Sequence, residues 1–221
     1  MSAKYNRTFH LPWSEGATND DKIAKSIEGL LNREVVITEK LDGSNICFEA
    51  DGVFARSHSG PPTHASFDLL KAKHAQIKHL LAPDYQVFGE WVFAVHSLAY
   101  DKLPGYLFLF GARDLTTSSW EAWGVVEEWA KTLGVHTAPV IGRGTFTSEG
   151  ALCKSTQDLA SKPSLYGPTR EGLVVRVAGA FKNEDFDKHI AKMVRAGHVA
   201  EGSEHWAHKE IIKQKLAGDG V

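Results

Sequence analysis

Lys40 stands in the stretch Thr38-Glu39-Lys40-Leu41-Asp42-Gly43-Ser44-Asn45, two residues before an Asp-Gly turn. Lysine is depleted in strands and keeps its ammonium in water, so the plain reading is a solvated hairpin flank. The chemical reading is a nucleophile. A lysine amine attacks only after losing its proton, which requires burial or cationic neighbours that lower its pKa. Gly43 would let a substrate approach the backbone closely, and Asp42 would hold the turn. Taken alone, Lys-x-Asp-Gly favours the flank.

Other chemistry-bearing side chains fall in strand-like runs. Arg56 ends Val53-Phe54-Ala55-Arg56, and Glu90 interrupts the apolar run around Phe88-Gly89-Glu90-Trp91, where an unpaired carboxylate is costly. Phe110 lies in Leu109-Phe110-Gly111-Ala112-Arg113. Glu171 opens the apolar Gly172–Val177, and Lys192 sits in Ile190–Val194 with Arg195 close behind. Singly, each has an ordinary explanation as a solvated charge or a core aromatic. Together they place two carboxylates, three or four cations and an aromatic on strand positions. That inventory is what a nucleotide phosphate site with a metal requires.

The elements that must position these residues follow from periodicity and turn chemistry. Residues 18–34 begin with capping residues and carry Ile23, Ile27, Leu30 and Leu31, predicting an amphipathic helix. Residues 34–41, 45–50 and 53–57, joined by Asp-Gly at 42–43 and 51–52, predict a three-stranded meander. Helices are predicted over 66–81, 119–134 and 203–218. Strands are predicted over 85–97, 105–115, 170–179 and 188–197, with a short strand and loop over 137–146. The fold class is α+β, with mostly antiparallel sheets flanked by helices, and no composition shift divides residues 1–221 into more than one domain.

Composition sets the outer bounds. The 221 residues are 43% hydrophobic and 24% charged, with a formal net charge of −2, so no global basic field marks a nucleic-acid binder and any polyanion site must be local. No apolar run approaches the roughly 20 residues needed to span a bilayer, and the N-terminal residues lack the apolar segment of a secretory signal. With only Cys47 and Cys153, neither a disulfide framework nor a four-cysteine zinc site is available, and a cytoplasmic, reducing setting is expected. Trp120, Trp123 and Trp129, at helical spacing, read as core and groove filling. Cys153 reads as an ordinary buried thiol. His205 and His208, with His198 nearby, have helical spacing but lack the partners a zinc site needs.

Glu39-Lys40-Leu41-Asp42-Gly43-Ser44-Asn45, the run 55–60 with Arg56, Phe88–Trp91, Phe108–Asp114, Glu171–Val177 and Ala191–His198, in this order and at these spacings, resemble motifs I, Ia, III, IIIa, IV and V of the covalent nucleotidyltransferases. That superfamily includes ATP-dependent DNA ligases, RNA ligases and mRNA capping enzymes. The Gly142-Arg143-Gly144 element points to the RNA ligase 2 family of phage-type RNA-end-joining enzymes. The resemblance runs from about residue 34 to residue 200. It implies the ATP-grasp-like ligase adenylation fold and an ATP-dependent RNA ligase that joins 3′-OH and 5′-phosphate RNA ends through a lysyl-AMP on Lys40. In that scheme Lys192 contacts the α-phosphate, with Arg195 as a helper whose family counterpart would be a lysine at the Val194 position. Glu171 holds Mg²⁺ or Mn²⁺, Glu90 binds the ribose hydroxyls, Phe110 stacks on adenine, and Arg56 grips a phosphate. Glu39 and Asn45 lie near the nucleotide.

Only about 20 residues follow motif V, so no C-terminal OB domain is expected. The cations such a domain brings would then come from elsewhere, for example from a protein partner that also supplies RNA binding. Two alternatives stay open: a nucleotidyltransferase of other specificity (DNA ligase or capping type), and an RNA-binding module that keeps the fold without catalysis.

Overall fold

A computed structural model describes residues 4–56, 60–197 and 210–218. In chain order the elements are β1 (Phe9–His10), β2 (Glu34–Lys40), β3 (Ser44–Glu49), β4 (Gly52–Ala55), α1 (Asp68–Ile77), β5 (Tyr85–Trp91), β6 (Leu107–Asp114), β7 (Ser119–Trp120), α2 (Trp123–Leu133), β8 (His136–Thr137), β9 (Val140–Thr145), α3 (Glu149–Ala160), β10 (Gly172–Val177), β11 (Phe181–Lys182), α4 (Phe186–His189) and β12 (Ile190–Val194). One sheet runs β1-β12-β10-β2-β9. The other runs β11-β7-β6-β5-β3-β4, with β8 added to β6. All pairings are antiparallel except β1 with β12 and β6 with β8. The α+β class expected from the sequence holds.

The first sheet carries its sequence logic openly. β10 is buried along almost its whole length, which is why Gly172-Leu-Val-Val-Arg-Val177 is nearly continuous in apolar residues. It lies between β2 and β12, with Gly172 opposite both Lys40 and Val194. A Cβ at Gly172 would sit 2.0 Å from the Met193 carbonyl oxygen, so only glycine lets β12 approach at this point. Cross-strand partners share a face. Lys40, Val174, Lys192 and His10 therefore line one side of this sheet, through the pairs Val174–Lys192 and His10–Lys192.

The expected meander divides between the two sheets. β3 and β4 form a hairpin as predicted, but β2 belongs to the other sheet, and Asp42-Gly43 is a crossover rather than a hairpin turn. Asp42 is tied instead to a distant loop, accepting the Ser97 and Leu98 N–H groups, each at 2.8 Å, and the Ser97 hydroxyl at 2.7 Å. Gly43 passes so close to β5 that a Cβ would meet the Trp91 carbonyl at 2.6 Å.

Three helix expectations are corrected. Residues 18–34 contain only a 3₁₀ turn, Glu28–Leu30. After a turn at Thr18–Asp21 the backbone bonds to β1, His10 N–H to Lys22 O at 2.7 Å and Ala24 N–H to His10 O at 2.8 Å, while Ile23 is exposed. Within the expected closing helix, residues 203–209 lie outside the described residues, as do the histidine candidates His198, His205 and His208. Residues 210–216 are not helical and bridge Lys213 to Ala94 and Leu216 to Leu103, before a turn at 217–218. The third predicted helix starts later, at Trp123, because Ser119–Trp120 first joins the sheet. One helix went unforeseen: α3 is capped by Ser148, whose hydroxyl accepts the Ala151 N–H at 3.3 Å.

Trp120 and Trp123 are fully buried core residues and Trp129 packs half-buried beside them, as the spacing suggested. Cys47 is the buried thiol, whereas Cys153 is only half-buried on α3. Among the described residues no helix is long and apolar enough to cross a membrane.

Replacing Gly172 by alanine forces β10 and β12 apart and is expected to cost about 1–3 kcal/mol in a urea-unfolding measurement. Gly179, around which a Cβ meets nothing within 4 Å, serves as the control. Gly179→Ala is expected to stay within about 0.5 kcal/mol of the parent.

Candidate functional site

Two opposed ion pairs lie back to back where β2 ends and β10 begins. Lys40 Nζ hydrogen-bonds Glu171 Oε1 on the inner face of the first sheet. On the other face Glu39 Oε2 lies 3.3 Å from Arg170 Nη2 and accepts the Leu165 N–H at 3.1 Å. Glu39 and Lys40 are adjacent strand residues and point to opposite faces, and Arg170 and Glu171, just ahead of β10, meet them as two pairs of reversed polarity. Glu39 and Arg170 are both essentially inaccessible, which makes each obligatory to the other.

Lys40 faces a cavity of about 350 Å³ lined also by Glu171, Lys192, His10, Thr18 and Asp21. Burial by itself pushes the Lys40 amine down, but the carboxylates of Glu171, Glu90 and Asp42 together outweigh it and hold the pKa above its ordinary value. In this state Lys40 keeps its proton. Burial lowers the Lys192 pKa, and Lys40 and Arg56 lower it further, against the opposing pull of Asp21 and Glu171.

Glu90 comes from β5, where it pairs with Asn45 of β3. Burial pushes its carboxyl up to about 8, although Lys40 and a hydrogen bond from the Gly43 backbone pull the other way. The Asn45 side-chain oxygen and Glu39 Oε1 are buried without a hydrogen-bond partner among the described residues. The Asn45 oxygen, across from Glu90, suits a ligand that brings its own donors, as a nucleoside does. Phe110 is an extra residue in the β5–β6 ladder: Gly89 pairs with Leu109 and Phe88 with Gly111, so the bulge frees Phe110 to be re-aimed. It is half-buried, with its carbonyl held by Arg176 Nη1 at 3.3 Å and the Tyr5 ring edge-on at 5.1 Å.

The structure thus gathers Lys40, Glu171 and Lys192 around one cavity, with Glu90 close enough to act on Lys40 and Asn45 paired to Glu90. It sets Glu39 against Arg170 on the opposite face. Arg56 and Arg195 are exposed; Arg195 is not part of the cavity lining, and its N–H is spent on the Glu171 carbonyl at 3.0 Å. Sequence reasoning missed the cavity wall from residues 10–21, above all His10, Thr18 and Asp21. The adjacent acids Asp20-Asp21 were visible, but they read as part of a helix cap.

A metal would find the Glu171 carboxylate beside Lys40, with Asp21 on the facing wall of the same cavity. Among the described residues no group of three His, Cys, Asp or Glu side chains could hold an ion. The donor set fits a cation that keeps several waters and takes its remaining oxygens from phosphate, as Mg²⁺ commonly does.

Among solved structures, two alanine mutants of Naegleria gruberi RNA ligase, each with ATP and Mn, share this fold. One has a TM-score of 0.61 at 19% identity, over 87% of this chain and 58% of its own. The other has a TM-score of 0.59 at 18% identity, over 88% and 56%. A candidate ATP-dependent DNA ligase from Aquifex aeolicus has a TM-score of 0.53 at 16% identity, over 87% of this chain and 50% of its own. This chain therefore spans little more than half the length of those proteins. Among curated proteins, none matches. The RNA ligase family model matches residues 33–194, the stretch that contains β2, β10 and β12 with Lys40, Glu171 and Lys192, and the chain belongs to the RNA ligase family.

Proposed function

We propose that this chain is an ATP-dependent RNA ligase working through a lysyl-AMP on Lys40. The observation that carries the reading is the convergence of Lys40, Glu171 and Lys192 on one cavity at the meeting of β2, β10 and β12. The neutral Lys40 amine attacks the α-phosphorus of ATP. A P–N bond forms, the bond from that phosphorus to the bridging oxygen breaks, and pyrophosphate leaves with the electron pair. An RNA 5′-phosphate oxygen then attacks the same phosphorus, and the P–N bond breaks as the amine recovers a proton. Finally an RNA 3′-hydroxyl attacks the activated 5′-phosphate, forming the phosphodiester and releasing AMP.

In-line transfer of this kind needs positioning and charge neutralisation more than covalent help. Lys192, a compact cation on the same sheet face as Lys40, would hold the α-phosphate. Phe110 would offer the base a stacking surface, and Glu90 and Asn45 would bind the ribose. Arg56, exposed beyond β4, is free to reach a phosphate at the mouth. Glu39 supports the site from behind by fixing the Arg170 that precedes Glu171. A Mg²⁺ or Mn²⁺ ion held by Glu171 and phosphate oxygens would supply charge neutralisation at the transferring phosphoryl group.

To attack, Lys40 must surrender the proton that Glu171 helps it keep. Labelling from α-labelled ATP is therefore expected to rise with pH through the alkaline range. It should survive denaturing electrophoresis on the parent chain and fall to background in Lys40→Ala. Label taken from GTP instead would support a capping-type enzyme, and no label from either nucleotide would support a binding module.

The elevated Glu90 pKa has a consequence for stability. The unfolded carboxyl ionises near 4.5 and the folded one near 8. Between these values the folded chain holds the extra proton, so the Glu90 contribution to stability is full below pH 4.5 and fades as pH rises through 8. Urea midpoints at pH 5 and pH 8 should differ less in Glu90→Gln than in the parent. An equal difference in both would show that Glu90 ionises normally.

A further inference from the structure

We infer that residues 10–21, which precede the stretch matched by the RNA ligase family model, are a working wall of the nucleotidyl-transfer cavity, and that Asp21 is the positioning residue that holds Lys192 within it. This inference rests on the ligase reading for its meaning, but its geometry stands apart from it. The segment is sewn to β12 along its length. β1 pairs with β12 in parallel, Leu11 N–H donates to Lys192 O at 2.7 Å, and Gly16 N–H donates to Val194 O at 2.9 Å. At Gly16 a Cβ would sit 2.5 Å from the Arg195 carbonyl oxygen, so the strap lies closer to β12 than any other residue would allow. Ser14 Oγ accepts the Val194 N–H at 3.0 Å and meets His10 Nδ1 at 2.8 Å.

Asp21 is held by one oxygen and works with the other. Its Oδ2 accepts the Thr18 N–H at 3.2 Å and the Thr18 hydroxyl at 3.0 Å, which locks the turn. Its Oδ1 faces Lys192 Nζ at 3.7 Å, His10 Nε2 at 3.3 Å and Arg7 Nη2 at 3.7 Å. The cavity is therefore built from two ion pairs. Lys40–Glu171 comes from the family-matched stretch, and Lys192 receives its carboxylate from the strap. Lys40 and Lys192 repel one another across one sheet face, and Glu171 is engaged with Lys40. Asp21 decides the side to which the Lys192 ammonium leans. At 3.7 Å the contact is longer than a charge-assisted hydrogen bond of about 2.8 Å, so the ammonium protons stay available to an incoming phosphate. The groups that act on Lys192 are Asp21 and His10 from the strap, Lys40 from β2, Glu171 ahead of β10 and Arg56 beyond β4.

The test compares Asp21→Asn and Asp21→Glu with the parent chain by two readouts. The first is single-turnover lysyl-AMP formation across ATP concentrations. Asp21→Asn is expected to lower the rate at saturating ATP by about 10-fold, the lower end of the loss seen when a partner that orients a site ligand is removed. The half-saturating ATP concentration should move less than about 3-fold, and Asp21→Glu should recover part of the rate. The second readout needs no catalysis. Acetylation of lysines at pH 8 by an N-hydroxysuccinimide ester, followed by mass spectrometry, should modify Lys192 several-fold faster in Asp21→Asn, with the exposed Lys188 unchanged as reference. An unchanged rate and unchanged Lys192 modification would overturn the inference. So would a rate loss that follows a fall in melting temperature and is not recovered by Asp21→Glu. A parent chain that takes no label sinks the ligase reading alone, and the acetylation result then decides the strap.

Discussion

The pairing of Lys40 with Glu171 is the constraint around which the site is arranged. It requires β2 and β10 to be adjacent, in a register that puts Gly172 opposite Lys40, and it requires a glycine at 172 so that β12 can close in from the far side. The pair also needs its reversed copy on the back of the sheet. Glu39 and Arg170 bury two charges that neither strand would tolerate alone, and they hold the backbones of the neighbouring Lys40 and Glu171 in place. Buried pairs of this kind seldom add net stability, because desolvation offsets much of the attraction. Their effect is geometric: a strand slipped by one residue would leave two orphaned charges on each face.

The loop after β5 fixes the crossover beyond Lys40 through a run of direct contacts that begins at Gln214. The Gln214 side chain accepts the Tyr100 N–H at 2.6 Å and donates to the Leu98 carbonyl at 2.8 Å. The Tyr100 hydroxyl accepts the Asp42 N–H at 2.8 Å, and Asp42 in turn holds the loop at Ser97 and Leu98. Residues 210–218 thus occupy backbone partners that the irregular stretch 93–103 would otherwise lack, which is why they are not helical despite a lysine-rich, helix-like pattern. The crossover at Asp42-Gly43 is anchored from both sheets, and the proposed nucleophile sits at its start.

How much of this was legible in the sequence depends on how far each residue's partner lies along the chain. β10 announced itself because a strand buried on both sides must be apolar throughout. Glu90 and Glu171 stood out for the opposite reason, as charges beside apolar runs, whereas Lys40 read as a hairpin flank until the six motifs were taken together. Residues 18–34 misled because their apolar spacing is helical, yet the hydrogen bonds that decide the matter go to β1 and leave Ile23 in solvent. Asp21 gave no signal, since its significance comes from Lys192, 171 positions away, across a parallel pairing that local patterns do not encode. Asp42-Gly43 is a standard hairpin signature, but a two-sheet fold can use the same turn to leave a sheet. Phe110 was found as an aromatic, while the bulge that re-aims it became visible only in the strand register.

The charge balance in the cavity also bears on why a divalent cation belongs in the proposed reaction. Lys40 and Lys192 each face a carboxylate already, Glu171 and Asp21, and His10 is held below its ordinary pKa, chiefly by burial and then by Lys192, so it adds little positive charge near neutral pH. A triphosphate entering this cavity would meet cations whose fields are largely cancelled by their partners. The same cancellation keeps Lys40 protonated and therefore unreactive in the resting chain. Anything that draws the Glu171 carboxylate towards itself relieves both conditions together: it lowers the affinity of Lys40 for its proton, and it turns the neighbourhood of the α-phosphate positive. Glu171 is the residue that would hold a hard divalent cation, which favours carboxylate and phosphate oxygens over an amine and would supply that charge neutralisation. The Lys40–Glu171 ion pair would then hold the proposed nucleophile protonated until Glu171 is engaged elsewhere.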